Sequence, residues 1–152
     1  MKAFAAVFGL LLLGGTALAA ETGIDRTRLY ASSPELCQRL ETDRGEVFQD
    51  PDAMVFSFSE GIVAMEHHCD FLDIKSRPDS DFLFISAVCE FPGEVYPDSF
   101  AVAPYDDTSI QVVSAQMNVL EMAGVFDSSE EGGPAGTRFY HRCDNLSEIP
   151  FD

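Results

Sequence analysis

The chain has 152 residues, with 26 acidic against 9 basic side chains, four cysteines and a formal net charge of −17. So large an acidic excess argues against a nucleic-acid-binding function, because such binding depends on clustered lysine and arginine. The length allows one hydrophobic core and little more, so we expect a single folded domain.

The first 19 residues have the three parts of a secretory signal peptide. Lys2 gives a positive start, an uncharged run extends from Ala3 to Leu13, and Ala17-Leu18-Ala19 forms a small-residue cleavage site. The apolar run is shorter than the about 20 residues that a membrane span needs. We therefore expect cleavage after Ala19, or alternatively after Ala20, and a soluble protein in the periplasm or outside the cell.

Cleavage would leave residues 20–30 as a flexible polar arm and residues 31–152 as one disulfide-linked domain. The leader contains one of the 9 basic residues, Lys2, and none of the 26 acidic ones, so the charge changes from −17 to −18. Such a charge favours solubility, and it also attracts cationic partners over a long range. A basic protein is therefore the partner class that the composition favours, whereas the oligomeric state stays open.

Four cysteines after an export signal predict two disulfides. A structural zinc site favours clustered C-x-x-C pairs, and the sequence has none. Spacing alone leaves three pairings open, so the choice between them depends on the strand register. The four residues are Cys37, Cys69, Cys89 and Cys143.

One short helix and one loop are predicted before the first clear strand. Ser33 is a helix cap and proline occupies the first helical position, which predicts a helix over Pro34–Glu41 that includes Cys37. The stretch Asp43–Asp52 is rich in charge and contains glycine and proline, so a loop is expected there.

The middle of the chain predicts two hairpins. Met54–Phe58 alternates as a half-buried strand does, and a two-residue turn at Glu60-Gly61 would join it to a strand over Ile62–Phe71. A three-residue bulged turn would instead shift the register by one, which moves every side chain to the other face. The two-residue turn pairs Phe58 with Val63, Phe56 with Met65, and Met54 with His67.

The second hairpin turns at Arg77–Ser80 and returns along Phe82–Phe91. A turn centred on Asp79 places Cys69 opposite Cys89, within bridging distance. We therefore predict a Cys69–Cys89 disulfide, and a Cys37–Cys143 disulfide that ties the helix to the last strand. The same register pairs Phe71 with Ala87 and Asp73 with Ile85, and it places Met54, Phe56, Phe58, Val63, Met65, His67, Cys69, Phe71, Ile85, Ala87, Cys89 and Phe91 on one apolar face.

The last third predicts further strands and one ambiguous segment. The expected elements are breaks at Pro92-Gly93 and Pro97-Asp98, a hairpin of Ser99–Ala103 and Ser109–Val113, a helix or a strand at Ala115–Ala123, a mobile acidic loop over Asp127–Gly136 and a strand over Thr137–Cys143. The sequence therefore predicts a mainly β fold: a small antiparallel meander of about six strands, either a barrel or a sandwich, with one or two short helices.

Ligand-type side chains cluster in the sequence Glu66-His67-His68-Cys69-Asp70. Neighbouring residues of a strand face opposite sides, so His67 is expected in the core, whereas His68 shares the outer face with carboxylates. Imidazole and carboxylate are suitable ligands for divalent ions. The candidate metal site consists of Glu66, His68, Asp70 and Glu90.

Enzymatic activity is not expected. The chain has no G-x-S-x-G motif, the cysteines are assigned to disulfides, and the three histidines have no evident serine or aspartate partner. We expect no cofactor other than a divalent metal ion.

The five residues Ala135-Gly136-Thr137-Arg138-Phe139 resemble the S-G-x-[RK]-Y-like loop of small exported β-barrel inhibitors of lysozyme. Alanine stands at the serine position, and the segment lies beside the last cysteine rather than in the middle of the chain. The resemblance implies that Arg138 and Phe139 would contact a partner. Independently, the acidic charge predicts that Glu130 and Glu131 of the acidic loop attract a basic partner at long range.

Three functions follow from these observations. The first is a non-enzymatic exported binding protein of unknown partner, the second an inhibitor of a cationic cell-wall hydrolase, and the third a divalent-metal-binding protein.

Overall fold

The structure is a computed structural model that describes residues 23–125 and 134–148. Eight antiparallel strands form a closed barrel in which each strand pairs with the next along the chain and the last pairs with the first. The strands are β1 Arg28–Ala31, β2 Met54–Ser57, β3 Gly61–Ala64, β4 His68–Ser76, β5 Leu83–Phe91, β6 Glu94–Pro104, β7 Ser109–Ser114 and β8 Thr137–Ser147. The helices are α1 Pro34–Thr42, α2 Arg44–Val47 and α3 Ala115–Met122.

The mainly β antiparallel meander is confirmed, and its form is a barrel. Eight strands are present rather than about six, partly because β1 begins at Arg28, inside the range 20–30 that was expected to be a flexible arm. Tyr30 pairs with Phe56 of β2 and Arg142 of β8, so β1 closes the barrel. Leu29, Tyr30 and Ala31 are all buried, because the barrel core lies on one face of β1 and the second core on the other, so the strand shows no alternation of polar and apolar residues. The predicted signal peptide, residues 1–19, lies outside the described residues.

Aromatic side chains fill the barrel interior. The rings of Tyr30, Phe56, Phe58 and Tyr140 lie 5.0–6.4 Å from a neighbouring ring in the cluster, and all four residues are buried. An eight-stranded barrel is just wide enough for side chains to fill it. The interior is therefore a packed core rather than a ligand chamber.

A second core lies between the outer wall of the barrel and the first two helices. Leu36 and Leu40 of α1 are buried in one cluster with Leu29 and Val55 of the wall. The helix begins as predicted, because the Ser33 side chain accepts a hydrogen bond from the Leu36 amide. It thereby covers β1, β2 and β8 on one side.

The stretch Asp43–Asp52 is not entirely a loop, because α2 occupies Arg44–Val47. The Asp43 carboxylate accepts a hydrogen bond from the Glu46 amide, and Val47 is fully buried in the second core. A helix of four residues gives no periodic pattern, so charge alone suggested a loop.

Both predicted disulfides are present. Cys69 and Cys89 lie opposite each other on β4 and β5, with their Cα atoms 4.0 Å apart. Cys37 of α1 is bonded to Cys143 of β8, with the Cα atoms 5.2 Å apart. All four cysteines are bonded.

The predicted register of the first hairpin is wrong. Phe56 pairs with Ile62 and Met54 with Ala64, because residues 58–60 form a three-residue turn before Gly61. Gly61 has φ 98°, and a Cβ there would lie 1.8 Å from the Cys69 carbonyl oxygen. Only glycine allows this close approach of β3 to β4. In the resulting register Ile62, and not Val63, is the buried residue.

The predicted strand over Ile62–Phe71 is interrupted. Residues 65–67 form a tight loop between β3 and β4, across which Val63 pairs with His68. The predicted pairs of Cys69 with Cys89 and Phe71 with Ala87, which join β4 to β5, are confirmed. Met65 is exposed, contrary to its expected place in the core.

A bulge at Leu72 changes the pairing of the second hairpin between Leu72 and the turn. Asp73 pairs with Ser86 and not with Ile85, which pairs with Ile74 instead. The extra residue, Leu72, is exposed. Bulges of this kind bend and twist a strand, as closure of a barrel requires.

In the last third of the chain, the structure corrects one prediction and chooses between the two alternatives of another. Pro97 and Asp98 lie inside β6, not at a break. Pairing with β7 begins only at Phe100, so the missing N–H of Pro97 costs no hydrogen bond on that side. Of the helix and the strand that the sequence allows for residues 115–123, the structure has the helix, α3, capped by Ser114. Within the described residues, no helix is long and apolar enough to span a membrane.

Candidate functional site

An open groove lies at one end of the barrel, between the β3–β4 loop and the β5–β6 turn. It is lined by residues 64–68 and 90–95, and its volume is about 500 Å³. We call it the hairpin groove.

Two tight turns and one disulfide hold the walls of the hairpin groove. The Ala64 amide donates a hydrogen bond of 2.8 Å to the His67 carbonyl, which closes the β3–β4 loop. Across the groove, Pro92-Gly93 is a two-residue turn with Gly93 at φ 87°. The Cys69–Cys89 bond lies directly behind the His68 and Glu90 pair at the base. The groove is therefore a fixed feature of the barrel.

The lining of the hairpin groove is apolar and acidic. Met65, Phe91 and Val95 have 50%, 51% and 65% of their surface exposed. Three carboxylates, Glu66, Glu90 and Glu94, stand among these apolar side chains, and no lysine or arginine occurs in residues 64–68 or 90–95. The groove therefore combines apolar contact area with uncompensated negative charge.

Three of the four residues of the predicted metal site line this groove. His68 lies opposite Glu90 as predicted, and its Nε2 is 2.8 Å from the Asp70 carboxylate. Glu66 lies on the neighbouring loop. Within residues 23–125 and 134–148, the group of three ligand-type side chains whose ligand atoms lie within 4.8 Å of one another is a different one, namely His67, Cys69 and Cys89. Metal binding by Glu66, His68, Asp70 and Glu90 stays a prediction.

His67 is half-buried and lies between the hairpin groove and the barrel interior. Its Nε2 is 3.0 Å from the Tyr96 hydroxyl, and the two rings are stacked with an interplanar angle of 14°. Burial lowers the pKa of His67; Arg138 and His68 act in the same direction, and Asp98 opposes them. The imidazole is therefore neutral at neutral pH.

A small cavity with a mostly apolar lining lies behind His67, between the barrel interior and α3. Tyr96, Asp98 and Thr137 are among the lining residues, and the volume is about 40 Å³. The buried hydroxyl of Thr137 has no hydrogen-bond partner among the described residues. One water needs about 10–15 Å³ measured this way. The cavity therefore fits a few waters and no larger ligand.

Asp98 has a structural task beside this cavity. Its carboxylate accepts hydrogen bonds from the Gln116 amide at 3.0 Å and from the Ser114 hydroxyl. The Ser114 hydroxyl in turn accepts one from the Met117 amide. The bonds from the Gln116 and Met117 amides satisfy N–H groups of the first turn of α3 that have no partner within the helix. Asp98 therefore positions α3 over the barrel end.

The segment that resembles an inhibitor loop is packed against α3. The Gly136 amide donates a hydrogen bond of 2.7 Å to the Glu121 carboxylate, and the Asn118 side chain donates one of 2.9 Å to the Ala135 carbonyl. Gly136 and Thr137 are buried. This part of the segment is therefore not a protruding loop.

The two predicted partner contacts that the structure describes, Arg138 and Phe139, line a second open groove of about 470 Å³ beside the start of α1. Arg138 also lines the small cavity, and the Phe139 ring packs against Tyr105 with their centroids 4.5 Å apart. Neither residue lines the hairpin groove. Glu130 and Glu131 lie outside the described residues.

Comparison with protein-family models, curated proteins and solved structures finds no match to this chain. Its function must therefore be argued from the geometry and charge of the hairpin groove.

Sequence reasoning missed the apolar half of the groove. Phe91 is in phase with the buried Cys89, whereas Met65 is in phase with Val63, and the predicted register that puts Val63 in the core is wrong. The Pro92-Gly93 turn was recognised, and a residue beside a turn at a barrel end has no neighbouring strand to cover it. The place of Phe91 directly before this turn was therefore the sequence signal that it would be exposed.

Proposed function

We propose that this chain is an exported, non-enzymatic binding protein whose partner is a basic protein, and that the hairpin groove receives cationic side chains of that partner. One observation carries the proposal: exposed Met65, Phe91 and Val95 lie among Glu66, Glu90 and Glu94, without a lysine or arginine in the lining.

Lysine and arginine have an apolar stem and a charged head. The stem can lie along Met65 and Val95 while the head meets the carboxylates. An arginine head can also stack on the exposed Phe91 ring. The net charge of −17 on the whole chain adds attraction at longer range, which accelerates association.

Export is part of the same proposal. Its support is the tripartite pattern of residues 1–19 together with two formed disulfides, which persist in oxidising compartments. A cationic cell-wall hydrolase is one basic protein of that environment.

The test compares two triple variants that remove the same charge. One carries Glu66→Gln, Glu90→Gln and Glu94→Gln in the groove; the control carries Glu35→Gln, Glu41→Gln and Glu46→Gln on α1 and α2. Binding kinetics are measured against an immobilised C-type lysozyme and against a peptide of alternating lysine and leucine. Both variants should slow association similarly, because both lose three charges.

Only the groove variant should dissociate faster, by about 10-fold or more, since contact losses are expressed mainly in the off-rate. Equal dissociation rates for the two variants would remove the hairpin groove from the proposal. No saturable binding to either probe, or to a panel of basic exported proteins, would overturn the binding function itself.

A further inference from the structure

We propose that Cys69, Cys89 and His67 form a binding site for a divalent ion of the zinc class when the Cys69–Cys89 disulfide is reduced. The site goes beyond the proposed binding function and differs from the carboxylate set suggested by the sequence.

The ligand atoms are already assembled. One ring nitrogen of His67 and both Sγ atoms lie within 4.8 Å of one another. Nε2 is 3.4 Å from the Cys69 Sγ. In a tetrahedral zinc site, bond lengths near 2.0 Å to nitrogen and 2.3 Å to sulfur place these two ligand atoms about 3.5 Å apart. The sulfur–sulfur separation has to widen, after the bond between the sulfurs is broken.

The access path also suits an ion. The groups facing the His67 ring are Tyr96 and Asp98 of β6, Arg138 of β8 and the neighbouring His68. His67 lines both the hairpin groove and the small cavity, so an ion and its water can arrive from the groove.

The chemistry balances with a dithiol as the reductant. The dithiol transfers two electrons and two protons to the Cys69–Cys89 bond, which gives two cysteine thiols and leaves the reductant as a disulfide. The incoming ion displaces both thiol protons to solvent and is bound by two thiolates and one imidazole. Water from the groove or the Tyr96 hydroxyl, 3.0 Å from Nε2, is placed to complete the four-coordinate shell.

The other disulfide provides an internal control. Cys37 and Cys143 are part of no group of three ligand-type side chains among the described residues. After reduction they should bind an ion far more weakly than Cys69 and Cys89, because two ligands are fewer than the three or four that zinc sites use.

The experiment starts from protein reduced with a phosphine reductant, desalted without oxygen and checked for free thiols. Cobalt(II) is the probe, and its sulfur-to-metal charge-transfer absorption in the near ultraviolet is the readout. We expect the band in the reduced protein and in the Cys37→Ser, Cys143→Ser variant. We expect no band in the Cys69→Ser, Cys89→Ser variant. His67→Ala should weaken zinc binding, measured by chelator competition, by about 100-fold, at or above the loss typical of an outer-shell residue.

Circular dichroism confirms that each variant is folded, and the unmodified protein supplies the decisive measurement if a variant is not. Absence of the band in fully reduced unmodified protein overturns the proposal. So does an unchanged band in the Cys69→Ser, Cys89→Ser variant, or a Cys69–Cys89 bond that cannot be reduced while the barrel stays folded.

Discussion

Gly136 is the residue at which β8 meets α3. It has φ 68°, and a Cβ there would lie 2.6 Å from the Asn118 nitrogen and 2.7 Å from the Ser114 carbonyl oxygen. Both neighbours are backbone atoms and cannot rotate away. Gly136→Ala should therefore lower the free energy of unfolding by about 3 kcal/mol, since backbone strain and overpacking add.

Gly124 is the matched control for this substitution. It has φ 71° but nothing within 4 Å of its would-be Cβ, so Gly124→Ala should cost only the backbone strain, about 1 kcal/mol. Urea unfolding of both variants measures the difference. Equal losses would show that the contact between β8 and α3 is looser than the structure indicates.

His67 should make stability depend on pH in a defined window. Because burial lowers its folded pKa, the unfolded chain takes up the proton more readily. The stability associated with neutral His67 is fully present above the unfolded pKa, about 6.5, and is lost as the pH falls toward the folded pKa. Melting temperatures between pH 7 and 5 should fall in the unmodified protein and fall less in the His67→Gln variant. Parallel curves would assign the slope to other groups.

Carboxyl groups act in a separate, more acidic window. Hydrogen bonds from Ser109 and Thr108 lower the pKa of Asp106 to about 2, and bonds from Thr27 lower that of Asp25. Their stabilising effect is present above the unfolded pKa and lost as the pH falls below about 4. The window between pH 7 and 5 is therefore free of them.

At the scale of elements, the two disulfides connect different parts of the barrel. Cys37–Cys143 joins α1 to β8 across 106 residues, and Cys69–Cys89 joins neighbouring strands across 20. The chain-entropy model gives about 5 kcal/mol for the long loop and about 3 kcal/mol for the short one. Replacing Cys37 and Cys143 by serine should therefore destabilise the barrel more than replacing Cys69 and Cys89. Urea unfolding of the two double variants tests this order, and the reverse order would contradict it.

At the scale of the whole molecule, the chain has 26 acidic and only 9 basic residues. The excess negative charges repel one another in the compact state. Raising the salt from 10 to 150 mM shortens the Debye length from about 30 Å to about 8 Å and screens this repulsion. The melting temperature should rise by about 4 °C, which corresponds to about 1 kcal/mol. Sodium chloride and choline chloride should act alike, whereas a rise with sodium alone would indicate ion binding instead of screening.

Part of this protein is determined by its sequence alone, because the relevant interactions are local. The α1 start follows from Ser33 and Pro34. Alternation in a two-stranded hairpin places Cys69 and Cys89 on one face, although the pairing beside the turn would put Cys69 opposite Glu90 if the bulge at Leu72 did not shift it by one residue. With that pair known, the Cys37–Cys143 bond follows by exclusion. These features depend on capping, turn chemistry and alternation over a few residues.

Only the tertiary structure decided the rest, because it depends on contacts between distant residues. The register of β2 and β3 is set by the approach of Gly61 to the Cys69 carbonyl, and β1 exists because β2 and β8 flank it. Phe91 alternates like a core residue, yet the barrel ends beside it and leaves it in an open groove with Met65 of the β3–β4 loop. A strand pattern records which residues share a face, but not where neighbouring strands stop covering it.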